Sequence, residues 1–73
     1  MEYTIHDHAA DMVYHYSGTF DYLLYHFRFI ILCLGSHYPT FIIPKNIDEL
    51  IDALNIYCQK IQGHKNEYYE LVN

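Results

Sequence analysis

Seventy-three residues, 52% hydrophobic and 18% charged, suffice for one small domain (residues 1–73) and exclude a disordered tail, which lacks apolar surface to bury. Nine acidic residues against four Lys and Arg give a formal charge of −5. So few cations exclude a phosphate-neutralising surface, and with it direct nucleic-acid binding. The chain is also too short to house separate substrate, cofactor and catalytic sub-sites, so neither an enzyme nor a cofactor is expected.

The N-terminal Met-Glu-Tyr-Thr-Ile-His-Asp-His has no basic n-region and no apolar h-region, which predicts a cytoplasmic protein. Residues 1–27 carry Glu2, Asp7, Asp11 and Asp21 without a Lys or Arg, and hold four of the six histidines. This third is the acidic part of the chain, and its charge will move with pH near 6. Tyr3–His6 and Met12–Tyr16 have the β-branched and aromatic content of strands, separated by His-Asp-His-Ala-Ala-Asp. Ser17-Gly18 reads as a turn.

Phe20 to Leu34 supports two readings. As a helix it has Thr19 as cap, Gly35 as stop, and a stripe of Phe20, Leu23, Leu24, Phe27, Ile30, Ile31 and Leu34, with Tyr25, Phe29 and Leu32 left off it. As a strand it is aromatic-rich, lies between two turn signals, and is apolar on both faces from Phe27 onward. The strand is preferred, bent or bulged near Tyr25, and a second helix is the alternative. Gly35-Ser36 reads as a turn and Thr40–Ile43 as a short buried strand. The most apolar run, Phe29 to Leu34, falls well short of the ~20 residues a membrane span needs.

A helix is predicted from Ile47 to Gln62. Asn46 caps it, with Glu49 three residues on in a capping-box arrangement. Asp48, Glu49 and Asp52 suit the first turns, Lys60 suits the last, and Gly63 sits at C′. Ile47, Leu50, Ile51, Leu54, Tyr57, Cys58 and Ile61 form its apolar stripe, and Ile56 lies opposite. The expected fold is therefore α+β: a meander-like antiparallel sheet of three to four strands packed against a C-terminal helix of about residues 47–62. The two cysteines, Cys33 and Cys58, sit in apolar runs and read as buried thiols.

A domain of this length buries only about 60% of its unfolded surface, so a partner or a metal is a common reinforcement. Ile56 and the second apolar face of 27–34 point to more apolar surface than one small core covers, and hence to a homodimer or a stable complex. Nine tyrosines supply amphipathic contact area. The predicted contact set is Asp7, Asp11, Asp21, Tyr14, Tyr16, Tyr22 and Ile56, with Glu2, Glu67 and Glu70 adding charge against a partner's basic surface. On this reading, reversing Asp7 and Asp11 to Lys abolishes binding and leaves the fold intact. His6, Asp7, His8, Asp11 and His15 read first as solvated polar residues around a turn, with no metal expected; the alternative takes His6, His8 and His15 as metal candidates, because H-x-H on a strand turns both rings to one side and Asp11 or His15 then supplies a third ligand for zinc. The composition is rich in Tyr, Ile, Phe, Asn and Lys and poor in Gly, Ala, Arg and Pro, a bias that goes with AT-rich genomes. In size, acidity and composition the chain resembles the broad class of small acidic phage-encoded inhibitors, anti-CRISPR and other anti-defence proteins among them. That resemblance implies an inhibitor that binds a protein and occludes a basic surface. The alternatives are a His-coordinated metal domain and a membrane-associated peptide using residues 20–34.

Overall fold

Two strands open the chain, β1 (Glu2–Asp7) and β2 (Met12–Ser17), and they pair antiparallel from Glu2↔Ser17 to Asp7↔Met12. The turn between them is held by the Asp7 carboxylate, whose Oδ1 accepts from the Ala9 and Ala10 N–H groups at 3.0 and 3.3 Å. Asp11 closes it at φ +52°, a left-handed conformation that Asp adopts more readily than most residues. The computed structural model describes every residue except Glu67 and Asn73.

Residues 20–34 are helical, which corrects the preference for a strand. Thr19 caps α1 (Phe20–His26), its side chain accepting from the Tyr22 N–H at 3.2 Å. α2 (Arg28–His37) follows after a joint at Phe27, whose N–H is shared between the Leu23 and Leu24 carbonyls. Neither Pro nor Gly bends the chain there. The Phe27 ring is buried against Tyr16, His26 and Tyr69, with centroids 5.8, 5.1 and 6.5 Å away, and this packing holds the joint. Gly35 does not stop the helix, which runs on to His37 ahead of Pro39. Thr40–Ile43 is irregular rather than a strand, and its Ile42 and Ile43 are exposed.

α3 (Ile47–Ile56) continues as a π turn over Tyr57–Ile61, so the helical stretch matches the expected 47–62 closely. The Asn46 side chain accepts from the Glu49 N–H at 2.9 Å, and the Glu49 carboxylate accepts from the Lys45 N–H at 3.1 Å and the Asn46 side-chain amide at 3.2 Å. Gly63, at φ +80°, lets the chain reverse. The chain then returns to the sheet as β3 (Tyr69–Leu71), antiparallel to β1 in the order β2-β1-β3. The predicted C-terminal helix is thus followed by a strand, and the sheet is a hairpin with a late third strand, not a meander.

The architecture is α+β, with helices on one face of a three-stranded sheet. Ile5 and Tyr69 from the sheet meet Leu23, Phe27, Leu50, Leu54 and Cys58 from the helices. Along β3 the outward N–H and C=O of Tyr69 are both taken by the Asn55 side chain, at 2.6 and 3.2 Å. One amide on α3 therefore serves as a strand partner for the sheet edge. No helix among the described residues is long and apolar enough to cross a membrane.

Candidate functional site

The alternation of side chains along β1 separates two sets of residues. Tyr3, Ile5 and Asp7 turn toward the helices, whereas Thr4, His6 and then His8 face away from them, on the uncovered side of the sheet. The register adds Glu70, which stands directly opposite His6 on β3. His8 Nε2 lies 3.2 Å from Glu70 Oε1, the two imidazole centroids are 3.8 Å apart, and His8 stacks on Tyr68 at 4.3 Å. Asp11 reaches back from the turn to within 3.5 Å of His6 Nε2. One ligand atom from each of His6, His8 and Glu70 can be chosen so that all three lie within 4.8 Å of one another. His15 does not join them. It pairs with Thr4, its Nδ1 being 3.2 Å from Thr4 Oγ1, farther along the sheet on the β2 side. Thr4 and His15, with Glu2, Tyr3, Tyr16 and Ser17, line a shallow depression of about 170 Å³, too small for a typical ligand pocket.

The second candidate is the outer face of α1 and α2. Tyr22, Tyr25, Phe29 and Leu32 are 59%, 62%, 72% and 67% exposed and follow one another at helical spacing. The Arg28 guanidinium lies over the Tyr25 ring at 4.3 Å and the Phe29 ring at 4.8 Å, and its Nη1 donates to the Tyr25 carbonyl at 3.1 Å. Arg28 thereby bridges the row and shields little of it.

The contact residues expected from the sequence are dispersed. Asp7 is 6% exposed and serves the β1–β2 turn, so it offers no carboxylate to a partner, and Asp7→Lys would break that turn rather than leave the fold intact. Tyr16 belongs to the inner face, edge-on to His26 at 4.9 Å, and Tyr14 is half-buried beside it. The Tyr16 hydroxyl ionises only at about pH 12, because burial and then the neighbouring Tyr14 and Tyr22 disfavour its anion. The Tyr69 hydroxyl is pushed up further by burial, then by the Asp7 carboxylate and a hydrogen bond with it. Asp11, Asp21 and Tyr22 are exposed, and Ile56 is 36% exposed. Glu67 lies outside the described residues. Cys58 is buried and Cys33 half-buried, both as thiols.

Sequence reasoning missed Glu70 as a partner of His6 and His8, since only the β1–β3 register brings it there. It pointed to the second apolar face of residues 27–34 as surplus surface but named none of Tyr25, Phe29 and Leu32 in the contact set, although their place off the helical stripe marked them. No protein-family model, curated protein or solved structure matches the chain.

Proposed function

We propose that the chain is a non-enzymatic protein-binding module whose contact surface is the outer face of α1 and α2. The observation that carries this reading is the exposed row Tyr22, Tyr25, Phe29 and Leu32 with Arg28 stacked across it. Single exposed apolar residues are ordinary, but four in succession along α1 and α2, two on each side of the Phe27 joint, form a row of the kind that marks an interaction surface. Interface cores favour Tyr, Phe and Arg and are depleted of Lys, Glu and Asp; beside Leu32 the row carries Tyr22, Tyr25, Phe29 and Arg28 and none of the depleted types. Asp21, next to Tyr22, and the net charge of −5 favour a partner whose apolar patch is rimmed by basic residues.

A lipid surface suits the row less well. Interfacial helices place Lys and Arg around their apolar face, whereas residues 20–37 contain one Arg and no Lys, and the chain's net charge repels anionic lipid. In the finer reading the module is an inhibitor, as the small acidic phage proteins it resembles in composition are, and occludes a basic surface of its target. The setting is a cytoplasm, where thiols such as Cys33 and Cys58 stay reduced.

A photo-reactive phenylalanine in place of Phe29, compared with one in place of the exposed Gln59, tests the reading in the cells the chain comes from. The expected result is an adduct with one other protein from position 29 and none from position 59. An adduct joining two copies of the chain replaces the target with a homodimer. Silence at both positions overturns the reading.

A further inference from the structure

The geometry points to a zinc(II) site on the uncovered face of the sheet, with His6, His8 and Glu70 as ligands and Asp11 closing the fourth position. Three independent features of the fold converge on it. His6 and His8 are two residues apart at the end of β1, so their imidazoles leave the sheet on the same side, with centroids 3.8 Å apart. Glu70 comes from the far end of the chain, and the antiparallel register sets it directly across from His6. Asp11 is held by the tight turn that Asp7 organises, its left-handed backbone directing the chain back toward His6.

The spacing suits the ion. Bonds of about 2.0–2.1 Å at tetrahedral angles put neighbouring ligand atoms roughly 3.3 Å apart. His8 Nε2 and Glu70 Oε1 are already 3.2 Å apart, and His6 Nε2 and Asp11 Oδ1 are 3.5 Å apart. His6, His8 and Glu70 already offer ligand atoms within 4.8 Å of one another, and Asp11, whose side chain is 96% exposed, completes the set by turning in from the β1–β2 turn. Stacking on Tyr68 at 4.3 Å restrains the plane of the His8 ring.

The chemistry selects the class of metal. Two imidazole nitrogens with two carboxylates suit zinc and its divalent transition-metal neighbours, whereas calcium and magnesium take oxygen ligands. Two carboxylates and two neutral imidazoles also balance the charge of a divalent ion. Bound there, zinc ties β1, the β1–β2 turn and β3 together. It closes a connection between residues 62 apart in sequence and anchors a strand only three residues long. Metal binding would then also be folding free energy, as expected for a domain of this size.

The test is calorimetric titration of zinc chloride into the full chain stripped with chelator and exchanged into chelator-free buffer, with magnesium chloride as control. The expected result is one zinc per chain and no magnesium uptake. Loss of an outer partner of a metal ligand already costs about 10–100-fold in affinity, so His8→Ala and Glu70→Gln are expected to weaken zinc by at least about 100-fold. His15→Ala, on the same face but outside the cluster, keeps wild-type affinity. Urea midpoints without metal establish that the variants are folded. Should a variant be unfolded, imidazole nitrogen resonances of the wild-type chain decide the matter: zinc is expected to move those of His6 and His8 and leave those of His15 and His37 in place. No stoichiometric zinc, undiminished affinity in folded His8→Ala and Glu70→Gln, or unmoved His6 and His8 resonances would overturn the site.

Discussion

At the scale of single residues, Tyr16 carries an avoidable cost. Its hydroxyl is buried and has no hydrogen-bond partner among the described residues, while its ring packs on His26 and Phe27. A buried polar group without a partner costs about 1–3 kcal/mol, whereas the ring's contacts survive its removal. Tyr16→Phe is therefore expected to raise stability by about 1 kcal/mol, read as a higher urea midpoint at neutral pH. The same residue gives the alkaline limb a sign. Folding lifts the hydroxyl from its ordinary value of 10.0 to about 12, so between these values the unfolded chain has lost a proton that the folded chain keeps. That contribution is complete below pH 10 and is lost as the pH rises toward 12. Tyr69 acts in the same direction and is present in both proteins. The advantage of Tyr16→Phe is thus expected to widen above pH 10, and a gap that stays constant would remove Tyr16 from the alkaline transition.

At the scale of elements, Leu32 and Leu34 separate helix from strand by experiment. Two residues apart, they share a face on a strand and lie on nearly opposite faces of a helix. Leu34 is 0% exposed and Leu32 is 67% exposed. Leu34→Ala is expected to cost about 2–5 kcal/mol and Leu32→Ala no more than about 0.5 kcal/mol; similar costs would restore the strand. The sequence supported both readings because the outward face of this helix is itself apolar, through Tyr25, Phe29 and Leu32, and so erases the polar contrast that identifies an amphipathic helix. Where contrast and caps coincide, as from Asn46 to Gly63, the element was legible almost to the residue. Thr40–Ile43 has the composition of a strand but pairs with no strand among the described residues, whereas Tyr69–Leu71 is too short to show a period and exists because β1 pairs one of its edges and Asn55 holds Tyr69 on the other. Asn55→Leu strands the Tyr69 N–H and C=O. It is expected to cost about 2–3 kcal/mol and to speed hydrogen exchange at the Tyr69 amide, and an unchanged exchange rate would mean that the edge is satisfied in another way.

For the whole molecule, the part of the candidate site legible in the sequence is the part made locally. His6 and His8 follow from a two-residue period, but Glu70 follows only from a register set 62 residues later, and Asp7 looked like surface charge until the turn it holds was seen. The same distinction governs electrostatics, because formal charge is additive along the chain whereas pairing is not. Among the described residues carboxylates lie within 4 Å only of histidines, Asp11 at His6 and Glu70 at His8, where charge attraction exists only when the imidazole is protonated, and none pairs with Lys or Arg. Exposed carboxylates such as Glu2, Asp21, Asp48 and Asp52 therefore repel one another across a small body of formal charge −5. The screening length falls from about 30 Å at 0.01 M salt to about 10 Å at 0.1 M, which removes repulsion across the molecule before it weakens contacts at 3 to 4 Å. The urea midpoint in the presence of chelator is thus expected to rise with sodium chloride over this range. Chelator matters here, because a divalent ion on the sheet would neutralise Asp11 and Glu70 directly and mimic screening. If instead the midpoint falls with salt, attraction through the histidine pairs outweighs the excess of carboxylates, and the acidity of the chain does not limit its stability.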